Sequence, residues 1–283
     1  MVSVKELKSI DLASFTIIST GIAVLFSIIS SILLTVAIGI TSPSAIGASI
    51  YLISTIIIGT LMYNIYNSFF EGFLYNTLAK KMNTIKLAFK DEKEIVKIST
   101  TETAIIISMI ITIQTILIYL VSVVLLPLLL SSVVQTLMYS GQSMLAYSIY
   151  QFMMLLSQPM TIAMIIFGTF IISFVFILLG SYIYNVLANT GRGVVVNLSK
   201  EGNLTAIDSV DVLKFAIVFA VISCVLNLIL GIVTLISGGN FAAIAVGAIG
   251  GLVAGFVEGA LFAVFYNFLA PKLGKLKLEL IEL

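Results

Sequence analysis

Six apolar stretches, at residues 12–40, 46–79, 103–130, 160–188, 215–236 and 241–270, contain no lysine or arginine. Each exceeds the roughly 20 residues that carry a helix across a ~30 Å hydrocarbon core, whereas buried helices of soluble cores are shorter. The whole chain agrees, with 60% hydrophobic and 10% charged residues, against about 25% charged in a soluble domain. The fold class expected is an α-helical integral membrane protein with six transmembrane helices, and the lipid bilayer is its first partner. The run after residue 11 is too long for the core of a cleavable signal, so the first span is expected to be retained.

Charge sets the orientation. All 14 Lys/Arg residues fall in 1–11, 80–97, 192–214 or after 270, which lie on one side of a six-span chain. The positive-inside rule makes that side cytoplasmic, which predicts a multi-pass cell-membrane protein with both termini in the cytoplasm. The opposite connections are tight turns at 41–44 and 237–240, plus a polar, uncharged segment, 131–159, with Tyr139, Tyr147, Tyr150 and Phe152. That segment is expected to form a helix lying on or re-entering the outer interface, with a short seventh span as the alternative.

Several function classes drop out on composition. A net charge of +1 without a basic domain argues against nucleic acid. Histidine is absent and the one cysteine, Cys224, sits in an apolar run, so the commonest metal ligands and general bases are missing. The expectation is no metal, no cofactor, no catalytic residue and no enzyme activity.

Three helices end on the same string: Tyr75-Asn76-Thr77-Leu78-Ala79, Tyr184-Asn185-Val186-Leu187-Ala188 and Tyr266-Asn267-Phe268-Leu269-Ala270. Each is followed by an alternating, strand-like stretch, Ile85 to Lys90, Val194 to Leu198 and Lys275 to Leu280. Short entry segments ending Ile10-Asp11 and Ile207-Asp208 precede odd-numbered helices, where aspartate can cap free amides, with Ile98-Ser99 in the middle place. The pattern reads as three βααβ repeats, 1–90, 91–200 and 201–283, the middle one enlarged by 131–159. Entry and exit strands of each repeat are expected to pair antiparallel and to form a small pseudo-threefold cytoplasmic β cap. In the last repeat, Leu276, Leu278 and Leu280 should share one face, with lysine and glutamate on the other.

An entry segment, two spans and a Phe73-Leu74-Tyr75-Asn76 helix end with a β-prone tail resemble an uncharacterised family of two-span actinobacterial membrane domains, whose second helix ends similarly and runs into a glycine pair. Gly191-x-Gly193 and Gly274 echo that pair. The resemblance implies three tandem copies of such a domain and carries no activity with it.

Two acids, Glu71 and Glu258, lie inside apolar stretches, where an ionisable group marks a candidate polar site. They stand four and eight residues before the repeat tyrosine, roughly on one face, and could meet at the pseudo-threefold axis. Tyr75, Asn76, Tyr184, Asn185, Tyr266 and Asn267 are expected to anchor helices and bond backbone where helix turns to strand. Gly247, Gly251, Gly255 and Gly259 make a small-residue face for close helix packing, within the chain or against a partner helix. The function these features suggest is a non-enzymatic membrane scaffold or accessory subunit with a protein partner in the membrane. The alternative is a channel or transporter using Glu71 and Glu258 as ion or proton sites.

Overall fold

The computed structural model describes residues 2–283. Six helices are long and apolar enough to cross a membrane. Their order is β1 (Val2–Ile10), α1 (Leu12–Thr41), α2 (Ile46–Ala79), β2 (Lys86–Lys90), β3 (Glu94–Ile98), α3 (Thr100–Tyr139), α4 (Ser143–Leu156), α5 (Pro159–Ala163), α6 (Thr169–Leu187), β4 (Val194–Glu201), β5 (Leu204–Val210), α7 (Val212–Ile236), α8 (Phe241–Leu273) and β6 (Lys277–Glu282). A π-helical turn, Met164–Gly168, joins α5 to α6. The chain falls into two compact units, one of residues up to Thr103 together with Leu178–Leu283, the other Ala104–Ile177.

In the first unit, α7 packs along α8, α1 along α2, and α1 also on α8. All six strands belong to this unit and close into an antiparallel barrel in the order β1-β2-β3-β4-β5-β6. The entry–exit pairs are present: β1 on β2 from Val2↔Lys90 to Glu6↔Lys86, β3 on β4 at Ile95↔Val194, and β5 on β6 at Thr205↔Leu278. The closure was not legible beforehand. Hairpins β2–β3 and β4–β5 and the pairing of β6 with β1, from Lys5↔Glu282 to Ile10↔Leu278, turn three pairs into a ring without edges.

Barrels of about eight strands are already just filled by side chains, and this narrower one is filled as well. Phe89 is 2% exposed and clusters with Val194, Val196, Tyr184 and Val218, with Leu87, Ile95, Leu198 and Leu280 against them. Leu280 pairs with Leu7 and Leu278 with Ile10, while Leu276 packs in a second cluster around Ile18, Tyr266 and Leu269. On the other face Lys275 and Lys277 form ion pairs and Glu279 accepts from Ser9 Oγ at 2.7 Å.

Two expectations about local structure change. The cap of α7 is Asp211, whose carboxylate accepts from Lys214 N–H at 2.8 Å, and not Asp208, which lies within β5. Asp11 does cap α1, accepting from Ser14 N–H. The two Ile-Asp strings are therefore out of register by three residues of strand, since Val210-Asp211 holds the place of Ile10-Asp11. Second, α3 does not stop near residue 130 but continues to Tyr139 through Pro127. Its serines and threonines are tolerated there because each hydroxyl is satisfied by a carbonyl one turn back, Ser131 by Leu128, Ser132 by Leu129 and Thr136 by Ser132.

Within Ala104–Ile177, residues 143–156 form a helix inside the segment where one was expected, at 14 residues shorter than a span. The Tyr119 hydroxyl donates to the Leu156 carbonyl at its end.

Candidate functional site

The Tyr-Asn strings make one pattern of bonds in three places, all inside the barrel-bearing unit. Asn76 accepts from Ile10 N–H and donates to the Ile10 carbonyl, both at 2.8 Å. Asn185 does the same to Ile98 and Asn267 to Val210, again at 2.8 Å. An amide side chain thus matches, donor to acceptor, the last strand residue before each odd-numbered helix. On that side the ladder to the exit strand of the same repeat has already ended, so this backbone edge would otherwise be unpaired.

The tyrosines act three residues earlier on the same strands. Tyr75 donates to the Leu7 carbonyl at 2.6 Å, Tyr184 to Ile95 and Tyr266 to Ile207, each at 2.5 Å. The Tyr184 and Tyr266 oxygens also accept, at 3.3 Å, from Val194 N–H and Leu276 N–H on the exit strands. Each hydroxyl there bridges entry and exit strand at the end of their ladder. All three rings are buried. The residue three before each tyrosine is small and buried, Gly72, Ser181 and Ala263. At Gly72 an added Cβ would come within 2.9 Å of Leu12, so the clamp needs a close approach of helix to helix. The partners Leu7, Ile95, Ile207, Ile10, Ile98 and Val210 were missed in the sequence. Their fixed spacing of three, ending one residue before an N-cap, is the signal that could have found them.

The two intramembrane acids have different surroundings. The Glu71 carboxylate accepts from Asn67 Nδ2 at 2.8 Å, one turn earlier on α2. Glu258 is exposed near the middle of α8. Counted from the tyrosines, Glu258 matches Asn67 and not Glu71, and α2 and α8 each pack on α1 without extensive contact between them.

The glycine face splits. A Cβ at Gly251 would fall 2.7 Å from Asn227, at Gly255 2.7 Å from Ser223, and at Gly259 2.8 Å from Phe219, so these three let α8 lie against α7. Gly247, expected on the same face, meets nothing within 4 Å. Glycines four apart drift around a helix of about 3.6 residues per turn, and Gly247 is turned off the seam that Ile244, Gly251, Gly255 and Gly259 share. The close contact there belongs to Gly231 of α7, whose Cβ would fall 3.1 Å from Ile244.

On the barrel wall, Lys275 sits 2.6 Å from Asp208 and Lys277 2.9 Å from Glu201. These lysines hold both carboxyls below the ordinary carboxylate range, with Ser199 adding a bond to Asp208. Lys5, 2.7 Å from Glu92, lowers that carboxyl in the same way and lies over the Phe89 ring. Glu92 and Asp91 form the β2–β3 turn with positive φ, 60° and 51°. A mirror-image turn of this kind suits hairpin twist but disfavours a residue such as glutamate.

No protein-family model, no curated protein and no solved structure matches the chain.

Proposed function

We propose that this chain is a non-enzymatic membrane scaffold or accessory subunit, built as three βααβ units, 1–90, 91–200 and 201–283, each a copy of the two-span domain it resembles. Its barrel is the cytoplasmic platform offered to a protein partner, and both termini are cytoplasmic. The observation that carries this reading is the clamp. The six motif side chains, the best candidates for binding a ligand, direct their polar atoms to the chain's own backbone. They give rigidity to a platform and leave little for chemistry. All 14 cationic residues lie in strands, their turns, or the adjoining helix ends, which places the charge at that platform.

The test is isolation from native membranes in mild detergent. A partner recovered in constant ratio, and lost when Asn185→Leu loosens the barrel, is the expected result. A chain that always purifies alone would sink the scaffold. The second reading, a channel or transporter, is favoured by Glu258, because a carboxyl exposed midway along an apolar helix is costly to keep without a use. Ion or proton flux in liposomes, abolished by Glu258→Gln, would establish it. Flux equal in the variant would remove Glu258 from any such path.

A further inference from the structure

A pocket of about 240 Å³ opens on the outer wall of the barrel, lined by Val4 of β1, Lys86 and Ala88 of β2, and Lys97 and Ser99 at the end of β3. The register explains it. Val4 pairs with Ala88 and Ala88 with Lys97, so a small, buried alanine forms the floor of a row flanked by longer side chains. Lys86 pairs on its other side with Ser99, whose N–H donates to the Lys86 carbonyl and whose Oγ accepts from Lys86 N–H, both at 3.0 Å. The serine oxygen is thereby fixed and its proton is left to donate outward. Among the described residues Lys86 and Lys97 make no ion pair, and both are exposed.

The two other strand-to-helix junctions show what is different here. Asp11 N–H donates to Lys277 O and Asp211 N–H to Val195 O, the same bond that Ser99 makes to Lys86. At those junctions the chain supplies its own carboxylate at the cap. Beside Asp11 lie Glu279 and Ser9, bonded to each other, and beside Asp211 lie Asn197 and Ser209, also bonded to each other. Only the Ser99 junction lacks the carboxylate, and it alone has two ammonium groups without an ion-pair contact around an open floor. The nearest acid on this wall, Glu6, stands opposite Lys86 in the register, but its carboxylate is turned to Thr84 and to Lys8, at 3.0 Å, and Lys86 acts on it only from further off. Glu102, one turn into α3, is the other acid of the neighbourhood.

We propose that the Lys86–Lys97–Ser99 notch binds an anionic phosphate group, which takes the place of the carboxylate present at the other two junctions. Two ammonium groups supply the charge, the serine hydroxyl a directed hydrogen bond, and Ala88 the room. The notch adjoins the start of α3 and follows α2 by a short turn, so it opens where the apolar helices end. An anionic lipid headgroup or a free phosphate ion meets the same chemistry, and this proposal is independent of any protein partner.

The test uses the full chain in maltoside micelles, with binding read by thermal shift. The probes are short-chain phosphatidylglycerol, short-chain phosphatidylcholine and inorganic phosphate. Phosphatidylglycerol should stabilise the protein while phosphatidylcholine does not. Lys86→Ala with Lys97→Ala should weaken the response by on the order of tenfold, whereas Lys200→Ala leaves it intact. Ser99→Asp guards against a mere folding defect, because it restores the kind of cap the other helices use; it should keep the melting temperature without ligand and lose the response. Saturation by inorganic phosphate alone supports the notch with the free ion as its source, and phosphatidylglycerol alone supports it with lipid as the source. An equal response to phosphatidylcholine, or a response unchanged in Ser99→Asp and in the double lysine variant, overturns the site.

Discussion

In the barrel-bearing unit the tyrosine and asparagine of three helix ends reach across the chain, whereas in the 104–177 unit, Tyr119 to Leu156 apart, the serine and threonine hydroxyls turn back on their own helix. Tyr266 bonds a carbonyl 59 residues away and Asn76 one 66 away. Ser132, Thr136, Ser140 and Ser148, by contrast, donate to carbonyls three or four residues earlier. A return bond of this kind satisfies a hydroxyl in lipid but fixes nothing except the helix that already exists. A long-range bond to backbone fixes one element against another. The first unit is accordingly specified by a few side chains at set places. The second rests on apolar packing, with Pro127 and a π turn tolerated inside its helices.

The largest test of this contrast is Asn185→Leu, which leaves the Ile98 N–H and carbonyl without partners and should cost about 2 to 4 kcal/mol. Ser148→Ala in the other unit should fall within about 0.5 kcal/mol, and a comparable loss there would break the distinction drawn between the units. Next comes a charge inside the barrel. Leu278→Asp puts a carboxylate on the half-buried inner face, between Ile10 and Thr205, and should cost about 2 to 3 kcal/mol. Lys277→Asp, on the outer wall, should cost under about 1 kcal/mol. Equal melting temperatures in detergent for the two would mean that β6 is not part of a packed barrel. Tyr184→Phe removes one donor from the Ile95 carbonyl, with an expected loss of about 1 to 2 kcal/mol in the same denaturation measurement.

The smallest effect is one of pH. Glu201 and Asp208 carry lowered folded-state values, so the unfolded chain binds more protons than the folded barrel around the ordinary carboxylate range. Their contribution is present above that range and is lost as pH falls through the lower folded values. Replacing Lys275 and Lys277 with methionine should flatten this part of an acid melting curve. An unchanged acid slope would show that the pairs contribute nothing.

Sequence reading reached the spans, the Tyr-Asn strings and the strands that follow them, because each is a local or periodic signal. It placed Leu276, Leu278 and Leu280 on one face for the same reason. It could not reach closure, since the pairing of Lys5 with Glu282 depends on the stagger of all the strands between them. Asp208 was mistaken for a cap because two aspartates, three positions apart, both follow an aliphatic residue, and only the observed start of α7 at Val212 separates them. Gly247 failed through geometry of another kind: the helices still touch beyond it, at Ile244, but a four-residue glycine spacing drifts around the helix and had carried Gly247 off the contact face.

The paired bonds of each asparagine have a mechanical consequence. A single hydrogen bond acts as a pivot, but two bonds from one planar amide to one residue's N–H and carbonyl resist twist. With the tyrosine bond three residues along the strand, α8 is fastened to β5 at two points. It can neither spin about its axis nor slide lengthwise without unseating the strand. A push, tilt or torque applied to α2 or α8 in the bilayer is therefore delivered to the barrel as a turn of its wall, with no slack in the coupling.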